Sequence, residues 1–200
     1  MSTTLAVTGG TGFVGRTLLK LAVERGHAVR ALARSPQPRQ PGIEWVQGAL
    51  DEPEVLRALV AGADAVIHVA GVVNAPDAAG FEAGNVAGTL AVVEAARAAG
   101  IDRFVHVSSL SAREPQLSLY GASKAKAETI VQASGLDWTI VRPPWVYGPG
   151  DADTLDMFKM ARNGFVLLPP DGQISVIEVS DLARLLLALV PAGETRAQLY

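Results

Sequence analysis

A chain of 200 residues, 49% hydrophobic and 18% charged, has the length and composition of one globular α/β unit and excludes a disordered or fibrous protein. A net charge of −3 without a basic cluster gives no electrostatic footprint for nucleic acid or for an anionic membrane surface. With no cysteine there is no disulfide, thiolate zinc site or cysteine nucleophile, and His27, His68 and His106 lack the spacing of a helical metal site.

In chain order, short apolar runs rich in β-branched residues alternate with longer segments of helical period. That alternation predicts βαβ units feeding a parallel sheet. Strands are expected over 4–8, 28–33, 44–47, 65–70, 104–107, 139–141 and 175–179. Helices are expected over 12–25, 53–61, 81–99, 120–134, 154–162 and 180–190. The near-continuous apolar run 65–70 implies burial on both faces, hence a doubly wound, Rossmann-type sheet with helices on both sides. The whole chain, 1–200, is read as one domain, with 150–200 supplying a small substrate-side portion. It stops at Leu199-Tyr200, where an apolar strand would begin, which leaves truncation at the C-terminus an open reading.

The run Thr8-Gly9-Gly10-Thr11-Gly12-Phe13-Val14-Gly15 lies between the first strand and the first helix. Glycines at 9, 12 and 15 permit a tight turn, a close backbone approach to a pyrophosphate and close helix packing. The amides at the helix N-terminus then face the phosphates with the favourable end of the helix dipole. The second strand ends in Ala33-Arg34-Ser35, without the acidic residue that takes the ribose hydroxyls of NAD. Arg34 and Ser35 stand instead where a 2′-phosphate would lie, so NADP(H) is expected over NAD(H), which the turn by itself also admits. Leu50 is expected to pack on the adenine ring, and Asp51 to cap the next helix ahead of Glu52-Pro53. Farther on, Tyr120 and Lys124 are four apart and share one face of a helix. They follow a buried strand that ends in Ser108-Ser109.

The T-G-x-x-G-x-x-G turn together with this later pair resembles the extended and atypical branches of the short-chain dehydrogenase/reductase superfamily, which include epimerases and dehydratases. The resemblance implies a Ser-Tyr-Lys triad: Ser109 (Ser111 in reserve) orients a carbonyl, Tyr120 is the general acid or base, and Lys124 assists the phenol and binds the nicotinamide ribose. A free tyrosine titrates near ~10, so it needs such a cation to exchange protons close to neutrality. Asn85, in Asn85-Val86-Ala87-Gly88, matches an asparagine that shapes the site and supports a proton-relay water. Val69, Ala70 and Gly71 match a segment lining the cofactor cleft, in which His68 has no chemical role. Pro143 and Val146, in Arg142-Pro143-Pro144-Trp145-Val146-Tyr147-Gly148-Pro149-Gly150, match residues beside the nicotinamide.

The implied reaction is hydride transfer between NADP(H) and a small carbonyl or alcohol. Trp145 stands where the nucleotide-sugar epimerases and dehydratases often carry asparagine, which disfavours that substrate class. Substrate choice is expected from 111–119, 74–81 and the segment after Gly150. Two other readings stay open: an NADP(H)-binding redox sensor or structural subunit without turnover, and an epimerase or dehydratase. The partner is then a small molecule. Helices over 85–99 and 120–134 could pair across a two-fold axis or pack only on the sheet, leaving monomer and homodimer both open. No apolar stretch reaches the ~18–20 residues of a membrane span, and a cytoplasmic location is expected.

Overall fold

The computed structural model describes residues 3–166, 173–191 and 193–200. Residues 167–172, part of the segment expected to help choose substrate, lie outside the described residues. The elements run β1 (Thr4–Thr8), α1 (Phe13–Glu24), β2 (Ala28–Ala33), β3 (Ile43–Gln47), α2 (Pro53–Val60), β4 (Ala65–His68), α3 (Ala78–Phe81) and α4 (Gly88–Ala98). They continue through β5 (Arg103–Val107), α5 (Leu119–Gln132), β6 (Asp137–Val141), β7 (Trp145–Tyr147), α6 (Ala152–Arg162), β8 (Val176–Glu178), α7 (Val179–Leu189) and β9 (Gln198–Leu199). Seven strands form one sheet in the order β3-β2-β1-β4-β5-β6-β9, with every neighbouring pair parallel. This is the expected Rossmann-type architecture. The order reverses between β1 and β4, so the crevice for a ligand opens beyond the C-terminal ends of those strands.

Strand alternation sorts the apolar residues into two cores. Leu5 and Val7 of β1 face α1 and α7, meeting Leu18, Leu19, Ala22, Leu182 and Leu186. Ala6, one residue between, faces the other way with Val66, Phe104 and Ile140, against Leu56, Leu59, Val92 and Val131 of α2, α4 and α5. Leu5, Leu18, Leu56, Phe104 and Leu186 are all at or below 1% exposure, and each such side chain removed from water stabilises the fold by about 1.5–3 kcal/mol.

Four local expectations are corrected. The strand expected over 65–70 ends at His68, because the Ala70 amide leaves the ladder and donates to the Thr8 hydroxyl at 3.2 Å. The single helix expected over 81–99 is interrupted by a π-helical turn, Glu82–Ala87, between α3 and α4. Glu52, not Asp51, caps α2, and the Glu52 carboxylate turns back to accept from the Ala49 amide at 2.9 Å. The strand expected near 175–179 forms as β8 but pairs with β7 in a separate two-stranded sheet. Pro143 and Pro144 remove two consecutive backbone donors, so the chain leaves the main sheet after Val141 and β7 starts anew beside it. No helix among the described residues is long and apolar enough to cross a membrane.

Candidate dinucleotide and catalytic site

Gly9 has φ +73°, and a Cβ there would sit 2.6 Å from the Ala70 nitrogen. A Cβ on Gly15 would overlap the Gly9 carbonyl. Both positions thus require glycine, one for conformation and contact, the other for contact alone. Gly12 donates its amide to the Gly9 carbonyl at 3.0 Å and caps α1 without a side chain, which leaves the first-turn amides to an anion. The turn therefore fits the diphosphate of a dinucleotide: it is free of side-chain bulk and flanked by oriented N–H groups. Phe13 and Val14 open α1 half-buried, Val14 against the core that α1 shares with α7. Thr11 is exposed, and its carbonyl accepts from Arg16 Nη1 at 2.6 Å.

Under this turn lies a buried hydrogen-bond chain. Thr89 donates its hydroxyl to the Asn85 carbonyl at 2.6 Å and so accepts from His68 Nε2 at 3.0 Å, which assigns the proton to Nε2. His68 Nδ1 then accepts from the Thr8 hydroxyl at 2.7 Å. Burial, reinforced by the Lys124 charge, lowers His68 from 6.5 to about 3, so it stays neutral and keeps this tautomer. His68 is thus a buried positioner that links Thr8 to the helix carrying Asn85.

Asn85 sits in the π turn, 1% exposed. Its Oδ1 accepts from the Val72 amide at 2.6 Å, while Nδ2 donates to the Val72 carbonyl at 2.9 Å and the Ser123 hydroxyl at 2.9 Å. It ties the segment after β4 to α5. A Cβ on Gly71 would stand 3.2 Å from Asn85 Oδ1 and 3.5 Å from Lys124 Nζ, so Gly71 lies directly over both. Val69 and Ala70, half-buried, pass across Gly9.

Beyond the end of β5, the side chains of Ser109 and Tyr120 face each other. Burial raises the Tyr120 phenol above its usual value, and the neighbouring Ser109 hydroxyl partly offsets this. Ser109 also accepts from the Ser111 amide at 3.2 Å, which opens the 3₁₀ turn Leu110–Arg113. Ser118 caps α5 by accepting from the Gly121 amide at 2.9 Å, so the helix starts one residue before Tyr120. Lys124, one turn later and 3% exposed, donates Nζ to the Val107 carbonyl at 2.8 Å. Burial lowers Lys124 from 10.5 to about 8 against the opposing pull of Glu128. Pro143 is buried, with its carbonyl accepting from the Leu110 amide at 3.0 Å, and Val146 packs against the core shared by α1 and α7.

The adenosine side is more open. Arg34 and Ser35 are exposed at the end of β2, and Gln37 Nε2 donates to the Ser35 carbonyl at 3.1 Å. Leu50 is half-buried and packs over Gly88, at the rim of the core shared by α2, α4 and α5.

Two candidate site positions were missed in the sequence. Glu128, 3% exposed, accepts from Arg142 through Nε at 2.8 Å and Nη2 at 2.6 Å, and from the Ser108 hydroxyl. The signal was its place four residues after Lys124 on the same helix face. Arg16 follows Gly15 directly and lines a cavity of about 450 Å³ with Thr11 and Gln37. A cation so close to the glycine run was itself a phosphate signal.

Residues 9–190 match the model of the NAD(P)H-binding family. The ceramide reductase of Caulobacter vibrioides is 44% identical over 190 residues, covering 92% of this chain and 60% of that protein. The 2-alkyl-3-oxoalkanoate reductase of Stenotrophomonas maltophilia is 34% identical, covering 98% of this chain and 69% of the relative. Among solved structures, the Bordetella bronchiseptica enzyme WbmH in complex with NAD+ superposes with a TM-score of 0.88 over all of this chain and 75% of its own, at 24% identity. This chain therefore spans only 60% of the ceramide reductase. The likeness to WbmH concerns the fold, whereas the family model and the reductases concern descent: the chain belongs to the NAD(P)H-binding family, of the extended/atypical short-chain dehydrogenase/reductase type.

Proposed function

We propose that this chain is an NADP(H)-dependent oxidoreductase that interconverts a small carbonyl compound and its alcohol. The observation that supports this reading is the placement of Tyr120 beside Ser109, and of Lys124 Nζ on the Val107 carbonyl, at the C-terminal end of β5. When bound, the reduced dinucleotide supplies the hydride to the carbonyl carbon. Ser109 donates to the carbonyl oxygen and fixes its position. Tyr120 transfers its proton to that oxygen as the C=O pair moves onto it, leaving a phenolate that the Lys124 ammonium stabilises. Glu128, held by Arg142 and Ser108, keeps a countercharge next to Lys124 and so favours its charged form. The reductase names of the relatives from Caulobacter and Stenotrophomonas support the same direction of chemistry.

The choice of NADP(H) over NAD(H) rests on Arg34 and Ser35 at the end of β2, the absence of an acid there, and Arg16 beneath the turn. The test is a titration with NADPH and NADH, followed by a screen of carbonyl compounds. Arg34→Asp is expected to weaken NADPH at least tenfold, about 1.4 kcal/mol, and leave NADH unchanged or tighter. Tyr120→Phe is expected to lower kcat by about 10²–10⁴ while NADPH binding survives. Equal affinities for both nucleotides would remove the Arg34 argument. NADPH binding without turnover on any carbonyl favours the sensor reading.

A further inference from the structure

We infer that the substrate is an uncharged carbonyl compound with a hydrocarbon tail, which lies in the cleft between the two 3₁₀ turns after β5, Leu110–Arg113 and Pro115–Leu117, and the small β7–β8 sheet. The inference rests on the reductase reading for the placement of the carbonyl. The cleft, of about 570 Å³, shares Ser109 and Pro143 with the catalytic site, so its inner end is where the reacting group sits. That volume lies within the roughly 300–1,000 Å³ of small-molecule sites. Besides Pro143, its apolar lining residues are Leu110, Leu117, Pro144, Trp145 and Ile174, and the rest of the lining is polar. Leu117 is 77% exposed and Ile174 65%, an unusual amount of apolar surface to leave against water in the lining of one cleft. Trp145 does not swing freely, because its indole N–H donates to the Thr154 hydroxyl on α6 at 3.2 Å.

Charge decides against the other occupant that the extended branch commonly takes. Among the described lining residues, Glu114 is the one ionisable side chain, and no lysine or arginine faces the cleft. A nucleotide sugar would bring a diphosphate into a space with no cation and one carboxylate, and its desolvation would go uncompensated. An alkyl chain has no such cost. It covers the exposed leucine and isoleucine and gains the burial free energy of its own methylenes. The relation to the triad also fixes direction: the carbonyl lies at Ser109, and the tail runs toward Leu117 and Ile174.

The test uses the protein loaded with NADP(H) and the 2-alkanones from four to twelve carbons. KM in NADPH oxidation is expected to fall two- to fourfold per added methylene until the cleft is filled, fourfold being full burial at ~0.8 kcal/mol each. Leu117→Lys and Ile174→Lys are expected to flatten that dependence. In parallel, calorimetric titration of the NADP+-loaded protein with the same ketones reads Kd without any need for turnover. If Kd falls with chain length although no ketone is reduced, the tail site stands and the reductase reading fails. If ketones are reduced but neither KM nor Kd depends on chain length, the reductase reading stands and this inference is wrong. Binding of UDP-glucose more tightly than of 2-dodecanone also overturns it.

Discussion

An ammonium group only 3% exposed is costly to keep charged, and Lys124 carries that cost at the centre of the site. Its fall from 10.5 to about 8, set by burial against the attraction of Glu128, corresponds to roughly 3 kcal/mol. In the unfolded chain the amine holds its proton up to about 10.4. The unfolded state thus binds more protons than the folded state between pH 8 and that value, and stability rises with pH across this window. Below pH 8 the full cost is present. Lys124→Met is therefore expected to be more stable than wild type at pH 7 by about 2 kcal/mol, the Val107 carbonyl having lost its donor, and to lose the rise above pH 8. Urea midpoints at pH 7 and pH 9.5 check both points, and a less stable variant at pH 7 would refute the argument. If the proposed reductase reading holds, turnover vanishes in the same variant. At this scale Tyr120 and Lys124 were legible because helical spacing is local. Glu128 was not, because its role depends on Arg142 and Ser108, which only the folded sheet brings to it.

Register does for β4 and β5 what spacing does for a helix. His68 pairs with His106 across the two strands, and the rings stack at 5.3 Å with an interplanar angle of 21°. Both are fully buried, and neither ring nitrogen of His106 has a hydrogen-bond partner. Burial first, then the Lys124 charge, holds His68 at about 3 and His106 well below 6.5. When the chain unfolds, both imidazoles take up protons near 6.5. The stability they permit is complete above that pH and is lost as pH falls from 6.5 toward 3, at up to ~1.4 kcal/mol per pH unit for each histidine. The urea midpoint is expected to drop between pH 7 and pH 5, and His106→Phe to remove about half of the slope. An unchanged slope in His106→Phe would show that other groups set the acid limit. The main strands and helices were legible because their apolar periods are local facts of sequence. The π turn was not, since the extra residue is held by the bonds of Asn85 to Val72 and Ser123, both distant in sequence. The strand that forms β8 was legible, but β7 and its pairing with β8 were not, because a three-residue strand carries almost no periodicity and its partner is distant in sequence.

Across the whole molecule, α7 is fastened at both ends of the sheet. At the site end, β8 leads directly into it, and Glu178 caps it by accepting from the Ser180 amide at 2.7 Å. At the opposite end, Arg103 reaches out from the start of β5 with 9% exposure. Its Nε donates to the Val190 carbonyl at 3.1 Å, Nη1 to the Asp137 carbonyl at 2.7 Å, and Nη2 to the Leu189 carbonyl at 2.5 Å and the Thr139 hydroxyl at 2.7 Å. One guanidinium thus satisfies the last carbonyls of α7 and joins them to β5 and β6, with burial pulling its own proton affinity down. Thr195, within 3.1 Å of the same Nη2, extends the junction toward β9. The residues after Gly150 are therefore bound to the sheet at the end opposite the proposed site at Ser109, Tyr120 and Lys124. Arg103→Met keeps the aliphatic stem but leaves these carbonyls without a donor, at about 3 kcal/mol. The expected result is a lower urea midpoint together with faster amide exchange in α7 and β9, while β1, β4 and the glycine turn keep their protection. Exchange rising equally in all strands would show that Arg103 supports the sheet as a whole rather than the attachment of its C-terminal portion.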